Sequence, residues 1–292
     1  MKILVCGGAG YIGSHTTLEL LDKGYEVIVF DNLETGYKQA VSKDVKLYVG
    51  DLRNPEDINK VFNEHKIDAV IHFAAYSLAG VSMKEPLEYF ENNLGGTLNL
   101  LKSMNKYDVR YIVFSSTAAT YGEPENIPIL ETDKTFPSNT YGESKLCVEK
   151  MFKWCDTAYG LKYTALRYFN AAGAHISGKI GESHNPETHL IPIVLKAAIN
   201  QEKVMIFGDD YDTPDGTCIR DYLHVTDLAD AHILALENMM KTNTSTIYNL
   251  GNGKGFSNKQ VVDIARKVTG IDIKSEIAGR REGDPSTLIA SS

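Results

Sequence analysis

The stretch KILVCGGAGYIG, residues 2–13, opens the chain with a short apolar run that leads directly into closely spaced glycines. The apolar residues 3–6 have the length and composition of a buried β-strand. Gly7, Gly10 and Gly13 give the spacing Gly-x-x-Gly-x-x-Gly, and a helix is expected immediately after them. Glycines at such a strand-to-helix turn allow a tight bend, close approach of the backbone to a pyrophosphate, and close packing of helix on strand. A glycine triplet alone also occurs in ordinary turns, but its position here predicts a dinucleotide-binding unit.

An acidic residue marks the end of the second apolar run, residues 27–30. Asp31 lies there, about 20 residues beyond the glycines, and is followed by Asn32 and Leu33. A carboxylate at this place accepts hydrogen bonds from the adenine ribose hydroxyls and repels a 2′-phosphate. The residue therefore predicts NAD, not NADP, as the cofactor, and a turn at Asp31–Asn32 is compatible with that role.

Short β-rich runs alternate with segments of helical length through the first part of the chain. The runs are residues 3–6, 27–30, 47–49, 69–72, 111–114 and 163–166. Between them, apolar residues at helical spacing form one stripe, which we expect to face the core; its members are Leu87, Phe90, Leu94, Leu98 and Leu101. Alternating strands and helices predict an α/β fold, with a doubly wound parallel sheet of Rossmann type.

The pattern changes after about residue 170. Residues 171–185 are rich in Gly, Ser and His and are typical of a crossing loop. Helices are expected at 190–199, 227–240 and 258–268, with a strand at 246–250 between the last two. We expect an NAD-binding domain over residues 1–170 and a smaller mixed α/β substrate domain over 171–292. The segment near 223–250 is expected to return to the first domain.

Tyr141 and Lys145 form the second constellation that indicates chemistry. Their spacing of four places both side chains on one face of a helix. An ammonium near a phenol favours the phenolate and lowers the tyrosine pKa from ~10 towards neutrality, which would make Tyr141 a usable general acid or base. Upstream, Ser115, Ser116 and Thr117 follow a predicted strand at the sheet edge where ligands bind. The pair alone, or three strand-end hydroxyls alone, could be coincidental, but the glycine loop and Asp31 favour the functional interpretation.

Composition excludes several classes of function. The 292 residues are 43% hydrophobic and 23% charged, as in ordinary soluble globular proteins, and the formal net charge of −8 argues against nucleic-acid binding. The chain shows no secretory leader and no apolar run of the ~20 residues needed to span a bilayer.

The four cysteines have no CxxC or metal-ligand spacing, so we expect reduced thiols in a cytoplasmic protein. The eight histidines form no HxxxH or HExxH pattern on a plausible helix, and no metal site is predicted.

Taken together, these residues resemble the extended short-chain dehydrogenase/reductase family. A closer resemblance, to the UDP-glucose 4-epimerases, runs along nearly the whole chain. It includes GYIGSH at 10–15, HFA at 72–74 and FSSTAATYG at 114–122. The most specific stretches are LRYFN at 166–170, DGTCIRDYLHV at 215–225 and RREGD at 280–284.

The resemblance implies a full set of site residues. The catalytic residues would be Thr117, Tyr141 and Lys145. Asp51 and Leu52 would flank the adenine of the cofactor. The other cofactor-binding residues would be Gly7, Gly10, Tyr11, Ile12, Gly13, Asp31, Asn32, Leu33, Phe73, Ala74, Ala75, Ser77, Asn92, Ser115, Tyr141, Lys145 and Phe169. The nucleotide sugar would contact Thr117, Tyr141, Asn170, His189, Leu190, Met205, Ile206, Phe207, Arg220, Arg281, Asp284 and Leu288. Arg220 and Arg281 suit bidentate pairing with a pyrophosphate, although without the resemblance each would be better explained as an ion pair.

The sequence departs from the family pattern in places. Thr117 stands where many members carry Ser, Ser77 where some carry a lysine that reaches the cofactor, and His189 where an amide side chain is usual. Relatives also continue beyond the position of Ser292 into a helical tail that the present sequence lacks. The helical segments at 87–104 and 138–159 resemble the pair that forms an intersubunit four-helix bundle in this family, which implies a homodimer.

The resemblance implies that UDP-glucose and UDP-galactose interconvert through transient oxidation at C4′ by NAD. Tyr141 would move the proton of the 4′-hydroxyl, with Thr117 bonded to the same oxygen. Leu288, intermediate in volume, would lie beside the hexose and allow slow use of N-acetylhexosamine substrates. One alternative is a dehydratase or decarboxylase of the same fold, but Ala118 and Ala119 stand where dehydratases carry an acid and a base. The other is a non-catalytic cofactor-sensing regulator, which would typically lack the Tyr141–Lys145 pair.

Overall fold

The computed structural model describes residues 1–281 and 284–291. The strands within these residues are β1 (Lys2–Cys6), β2 (Glu26–Asp31), β3 (Lys46–Val49), β4 (Ala69–His72), β5 (Tyr111–Thr117), β6 (Lys162–Tyr168), β7 (Asn170–Ala172), β8 (Val204–Phe207), β9 (Ile219–His224), β10 (Thr246–Leu250), β11 (Gly255–Ser257), β12 (Ser275–Ala278) and β13 (Thr287–Leu288). The six strands expected in the first part of the chain are all present, with ends that differ by up to three residues.

Helices alternate with these strands. The α-helices of the described residues are α1 (Tyr11–Asp22), α2 (Pro55–Glu64), α3 (Ala79–Ser82), α4 (Pro86–Tyr89), α5 (Gly96–Lys106), α6 (Thr140–Tyr159), α7 (Leu190–Asn200), α8 (Val225–Thr242) and α9 (Asn258–Thr269). A π-helical segment, Phe90–Gly95, joins α4 to α5, and short 3₁₀ turns occur at Lys38–Ala40 and Ala118–Thr120.

The main sheet has seven parallel strands in the order β10-β6-β5-β4-β1-β2-β3. Successive side chains of β1 enter two different apolar clusters, Leu4 and Cys6 on one face and Ile3 and Val5 on the other. Because helices cover both faces, the strands are apolar on both sides and appear in the sequence as continuous hydrophobic runs. This confirms the doubly wound parallel sheet expected from the sequence.

The expected apolar stripe from Leu87 to Leu101 is wrong as a single core face. Leu87 is 80% and Leu98 42% exposed, whereas Leu101 is buried. The cause is the π-helical segment Phe90–Gly95, which lies in the middle of the stripe. Its wider i→i+5 hydrogen-bond spacing rotates the following turns relative to an α-helix, so residues at α-helical spacing no longer share a face. The segment therefore presents apolar side chains both to the core and to solvent.

Two smaller sheets complete the fold. In one, β9 pairs with β7, β11 and β13, and in the other β8 pairs with β12. A third apolar cluster lies under α7 and α9 and includes Val194, Ile206 and Val262. After β9, the chain goes back to the main sheet, where α8 packs against α1 and β10 pairs with β6. The segment that returns to the main sheet consists of α8 and β10, from Val225 to Leu250. The division of the chain into two domains at residue 170 stays a prediction.

None of the helices in the described part of the chain combines the length and the apolar character needed to span a membrane.

Candidate active site

A cleft of about 730 Å³ opens at the carboxyl edge of the main sheet and extends to the smaller sheets. Almost all the residues expected to bind ligands line it. From the cofactor set these are Gly7, Gly10, Tyr11, Ile12, Gly13, Asp31, Asn32, Asp51, Leu52, Phe73, Ala74, Ala75, Ser77, Asn92, Ser115, Tyr141, Lys145 and Phe169. From the substrate set they are Thr117, Asn170, His189, Leu190, Met205, Phe207, Arg220, Arg281 and Asp284. Of the RREGD motif, Glu282 and Gly283 lie outside the described residues.

Three expected site residues do not line the cleft. Leu33 has a left-handed backbone, with φ of 61°, and packs against the apolar cluster beside β1. Ile206 is 3% exposed and points into the cluster under α7, because it alternates along β8 with Met205 and Phe207, which face the cleft. Leu288 pairs in register with Arg220 at the edge of β9 without reaching the cleft. These three side chains stand outside the cleft wall, and their expected roles in binding, including that of Leu288 beside the hexose, stay predictions.

The glycine turn is packed too tightly for any side chain. A Cβ at Gly7 would lie 2.5 Å from the Ala74 backbone nitrogen, and one at Gly13 would lie 2.1 Å from the Gly7 oxygen. Gly7 also has φ of +82°, a conformation that disfavours other residues. Helix α1 begins behind this turn without a side-chain cap at Gly10. The amide groups of its first turn therefore suit an anion such as a pyrophosphate, and the cradle fits a dinucleotide.

Asp31 ends β2 at the edge of this cradle. Its carboxylate accepts hydrogen bonds from the backbone nitrogens of Ala9, at 2.9 Å, and Leu33, at 2.8 Å. Burial raises the pKa of Asp31, and the two backbone hydrogen bonds oppose that rise. The side chain is thus fixed by the backbone on both sides while it still lines the cleft, as a group that bonds to ribose hydroxyls must.

A polar network that the sequence did not predict lies beyond Asp31. Arg53 Nη2 contacts Asp51 Oδ2 at 2.6 Å, and Arg53 Nη1 donates to the Tyr76 hydroxyl at 3.1 Å. Tyr76 in turn donates to Glu34 Oε1 at 2.7 Å. The hydrogen bonds from Arg53 help to lower the pKa of Asp51 to about 2. Tyr76 lies within the run Phe73–Ser77 that was expected to line the cleft, whereas only closeness in sequence to Asp31 could have indicated Glu34.

Thr117, Tyr141 and Lys145 come together from two elements. Thr117 is the last residue of β5, which continues past the expected strand because Ser115 and Thr117 pair in register with β6. Tyr141 and Lys145 lie one turn apart on α6, and Asn139 caps that helix by accepting a bond from the Gly142 nitrogen at 2.9 Å. Lys145 Nζ lies 6.0 Å from the centre of the Tyr141 ring. A hydrogen bond with Thr117 favours the ionised form of Tyr141.

The expected lowering of the Tyr141 pKa is wrong for the protein without ligands. Burial, the largest effect, raises the pKa of Tyr141, and nearby Tyr168 raises it further. Burial also lowers the pKa of Lys145 to about 7, with a smaller opposing effect from Glu149. The spacing of the two residues brings an ammonium close to the phenol. Burial, however, removes both groups from water and so disfavours both charged forms. Lys145 also donates to the Ser115 backbone oxygen at 2.8 Å.

The far end of the cleft carries the arginines. Arg220 Nη2 pairs with Asp284 Oδ1 at 2.8 Å, and the Arg220 side chain is 12% exposed. The Arg281 guanidinium lies 4.0 Å from the centre of the Phe207 ring, in a cation–π contact. Asn170 Nδ2 approaches the Asp221 backbone oxygen at 3.4 Å. This end therefore combines fixed positive charge with an aromatic face, a combination suited to a phosphorylated nucleotide.

Several cleft residues carried no signal in the sequence. Lys203 and Asn258 reach the cleft only through the packing of the smaller sheets and their helices. Glu182 and His184 lie in the loop before α7, beside His189. With Glu187 they form a group of four side chains whose candidate metal-binding atoms lie within 4.8 Å of one another. These four residues do not have the helical spacing that is typical of metal ligands, because they lie in an irregular loop.

Comparisons with known proteins agree in one assignment. Residues 3–251 match the model of the NAD dependent epimerase/dehydratase family. A UDP-glucose 4-epimerase of Halalkalibacterium halodurans is 62% identical to the chain, over 100% of the chain and 87% of that protein. The crystal structure of a UDP-glucose 4-epimerase from Bifidobacterium longum in complex with NAD+ and UDP is 41% identical, with a TM-score of 0.94, over 100% of the chain and 90% of its own length. A UDP-glucose 4-epimerase from Brucella ovis, solved with NAD, is 45% identical with a TM-score of 0.95, over 99% of the chain and 89% of its own length.

The buried Lys145 gives a prediction about stability. Its pKa in the folded protein, about 7, lies below the ordinary value of 10.5, so the unfolded chain binds one more proton between these values. The free energy of unfolding of the wild type, relative to Lys145→Met, should therefore rise with pH above about 7, by up to ~1.4 kcal/mol per pH unit. Urea unfolding of the cofactor-free proteins at several pH values between neutrality and pH ~9 measures this.

The exposed Lys153 on the same helix supplies the control, and Lys153→Met should follow the wild type at every pH. If the difference in free energy of unfolding between the wild type and Lys145→Met does not change with pH, Lys145 is not desolvated.

Proposed function

The chain belongs to the NAD dependent epimerase/dehydratase family, and we propose that its cleft interconverts UDP-glucose and UDP-galactose, with Thr117, Tyr141 and Lys145 as the catalytic residues. The observation that carries this proposal is the grouping of these three side chains between the glycine cradle and the arginine end of one cleft. A dinucleotide held at the first end and a nucleotide sugar held at the second would meet beside Tyr141. The chain is thus an isomerase that uses NAD.

The residues of the cleft divide the work of binding and chemistry. When bound, NAD would supply the hydride acceptor and donor for sugar carbon C4′. The amides of the first turn of α1 would hold the pyrophosphate, and Asp31 would hold the adenine ribose. Lys145, anchored to the Ser115 oxygen, would position the nicotinamide ribose. In its protonated form Lys145 would also favour the Tyr141 phenolate and offset the burial that raises the pKa of Tyr141.

Proton transfer is the task of Tyr141. As phenolate it takes the proton from the 4′-hydroxyl of the sugar, and as phenol it returns the proton after C4′ has been reduced on its opposite face. Thr117 favours the ionised form of Tyr141, against the larger effect of burial, and would hold the same sugar oxygen. Arg220 and Arg281 anchor the nucleotide by its pyrophosphate, so that the hexose can turn about its link to the anchored part.

Neither alternative function is favoured. Ala118 and Ala119 follow Thr117 in a 3₁₀ turn, and methyl side chains cannot supply the acid and base that elimination of water requires. A cofactor-sensing regulator would have no use for a desolvated Tyr141–Lys145 pair beside Thr117.

We further propose a homodimer in the cytoplasm, with no nucleic-acid partner at a net charge of −8. The support for a dimer is the exposure of large apolar side chains on the helices that the family resemblance singles out. Leu87 of α4 is 80% exposed, Leu98 of α5 42% and Trp154 of α6 69%. If these side chains form one patch, a second subunit would cover it.

Replacing Tyr141 tests the catalytic assignment. Tyr141→Phe should retain NAD and nucleotide binding but lose ~10²–10⁴-fold in turnover, because only the proton-transfer group is removed. Tyr163→Phe is the matched control, since Tyr163 is also buried but lies in the apolar cluster of the main sheet. Steady-state rates with UDP-galactose measure both variants. Turnover of Tyr141→Phe within a few-fold of Tyr163→Phe would remove Tyr141 from the mechanism.

Cofactor preference tests Asp31. A 2′-phosphate facing this carboxylate meets like-charge repulsion of several kcal/mol, so NADP should bind at least ~100-fold more weakly than NAD. Asp31→Ser should reduce the preference for NAD over NADP, because it removes the negative charge and leaves a hydroxyl. Titration of the cofactor-free proteins with each dinucleotide gives the two affinities. Equal affinities in the wild type would show that Asp31 does not face the ribose.

Solution mass tests the dimer. Light scattering at micromolar concentration should give twice the 32.3 kDa chain mass for the wild type. Trp154→Asp should shift the protein towards monomer, because it places a charge in the proposed interface. Ile199→Asp is the control, since Ile199 is 79% exposed on α7, away from that surface. A monomeric wild type, or equal dissociation by both variants, would contradict the proposed interface.

A further inference from the structure

The loop between β7 and α7 gathers four potential metal ligands at the rim of the cleft. Glu182, His184, Glu187 and His189 follow one another with the spacing Glu-x-His-x-x-Glu-x-His. Each offers one donor atom, and the four atoms lie within 4.8 Å of one another. Two imidazoles and two carboxylates thus converge on one point, although the loop that carries them has no regular structure.

The distances between these donors match a small coordination sphere. His184 Nδ1 lies 3.4 Å from Glu182 Oε1 and 3.5 Å from Glu187 Oε1. His189 Nδ1 lies 3.8 Å from Glu187 Oε1 and is in direct contact with Glu182 Oε1. Zinc bonds of about 2.0–2.2 Å to nitrogen and oxygen place tetrahedral ligands about 3.3–3.6 Å apart. Small side-chain movements would therefore bring all four donors onto one ion.

The group is also incompletely satisfied without a ligand. The Glu182 and Glu187 side chains are only 7% and 6% exposed. Glu187 Oε1 accepts hydrogen bonds from the backbone nitrogens of Thr188 and His189, at 2.9 and 3.0 Å. Among the residues that the structure describes, the buried atoms His184 Nδ1 and Glu187 Oε2 have no hydrogen-bond partner. The nearest ammonium to Glu187 Oε2 is that of the half-exposed Lys196, at 3.9 Å. Buried carboxylates without full hydrogen bonding are costly, and a bound cation would remove that cost.

We propose that Glu182, His184, Glu187 and His189 form a structural site for a divalent transition-metal ion of the Zn²⁺ type. Imidazole nitrogens together with carboxylates suit zinc and its neighbours, whereas Mg²⁺ and Ca²⁺ prefer all-oxygen sites. Four protein donors leave no open position, as in structural and not catalytic zinc sites. The competing explanation is a cluster of ion pairs in which protonated histidines replace the metal.

A metal here would connect the loop to the wall of the cleft. His189 is the N-cap of α7, whose first residues Leu190 and Ile193 line the cleft. On the other side, the His184 ring meets the Tyr11 ring edge-on, with centres 6.1 Å apart. One ion would therefore fix the loop between the glycine turn and the start of α7.

Metal binding by the protein, with its cofactor retained, tests the proposal directly. The chelator-treated protein should take up one equivalent of Zn²⁺ in a competition titration against a coloured chelator. Co²⁺ should produce the intense visible absorption of a tetrahedral site, which six-coordinate Co²⁺ lacks. His184→Ala and Glu187→Gln should each weaken Zn²⁺ binding by at least ~100-fold, since loss of even an outer-shell partner costs 10–100-fold. Neither variant alters His189, the N-cap of α7.

His175→Ala is the matched control, because His175 lies in the same loop and bonds to Ser177 outside the group. It should bind Zn²⁺ like the wild type. The proposal is overturned if the wild type takes up no stoichiometric Zn²⁺ or gives no tetrahedral Co²⁺ spectrum, whatever the variants do. It is equally overturned if His184→Ala and Glu187→Gln, shown to be folded by circular dichroism, bind Zn²⁺ as tightly as His175→Ala.

Discussion

The packing of α6 against strands β5 and β6 is the contact on which the candidate site depends. It is polar, although it is buried. Lys145 donates to the Ser115 backbone oxygen at 2.8 Å, and one turn further on Glu149 pairs with Arg167 of β6 with both side chains almost fully buried. Ser116 also donates to Glu149, at 2.5 Å. Breaking a buried ion pair leaves an uncompensated charge, which costs several kcal/mol, so this arrangement holds the helix in one register on the sheet. That register fixes Tyr141 beside Thr117.

The same burial explains why the Tyr141–Lys145 pair cannot be understood from its spacing alone. Desolvation raises the pKa of Tyr141 and lowers that of Lys145 to about 7. Burial therefore works against the charged form of each group, although spacing alone suggests that the two charges stabilise each other. Any positive charge bound near this pair would favour the Tyr141 phenolate, so that binding and proton transfer would be coupled through electrostatics.

The sequence predicted the parts of this molecule that depend on local chemistry. The strands of the main sheet, the glycine turn and the positions of Asp31, Tyr141 and Lys145 follow from periodicity, backbone freedom and spacing, and the family resemblance added the arginine end of the cleft. Side-chain direction was harder to predict. The π-helical segment Phe90–Gly95 moved Leu87 and Leu98 out to solvent, and strand alternation turned Ile206 away from the cleft. A single sequence carries no clear signal for a π-helical segment, and the alternation along Val204–Phe207 could be applied only if that strand had been expected.

The loop before α7 shows the same limit in a different form. Metal sites are found in sequences when a helix or a tight turn fixes the distance between ligands, and here no regular element does so. Glu182 and His189 are seven residues apart, yet their donor atoms are in contact, because the chain between them folds back on itself. The sheet side of the cleft is held by the parallel strands and by the anchored helix α6. The side formed by this loop has no strand or helix of its own among the described residues, and its carboxylates and imidazoles converge where such support is missing.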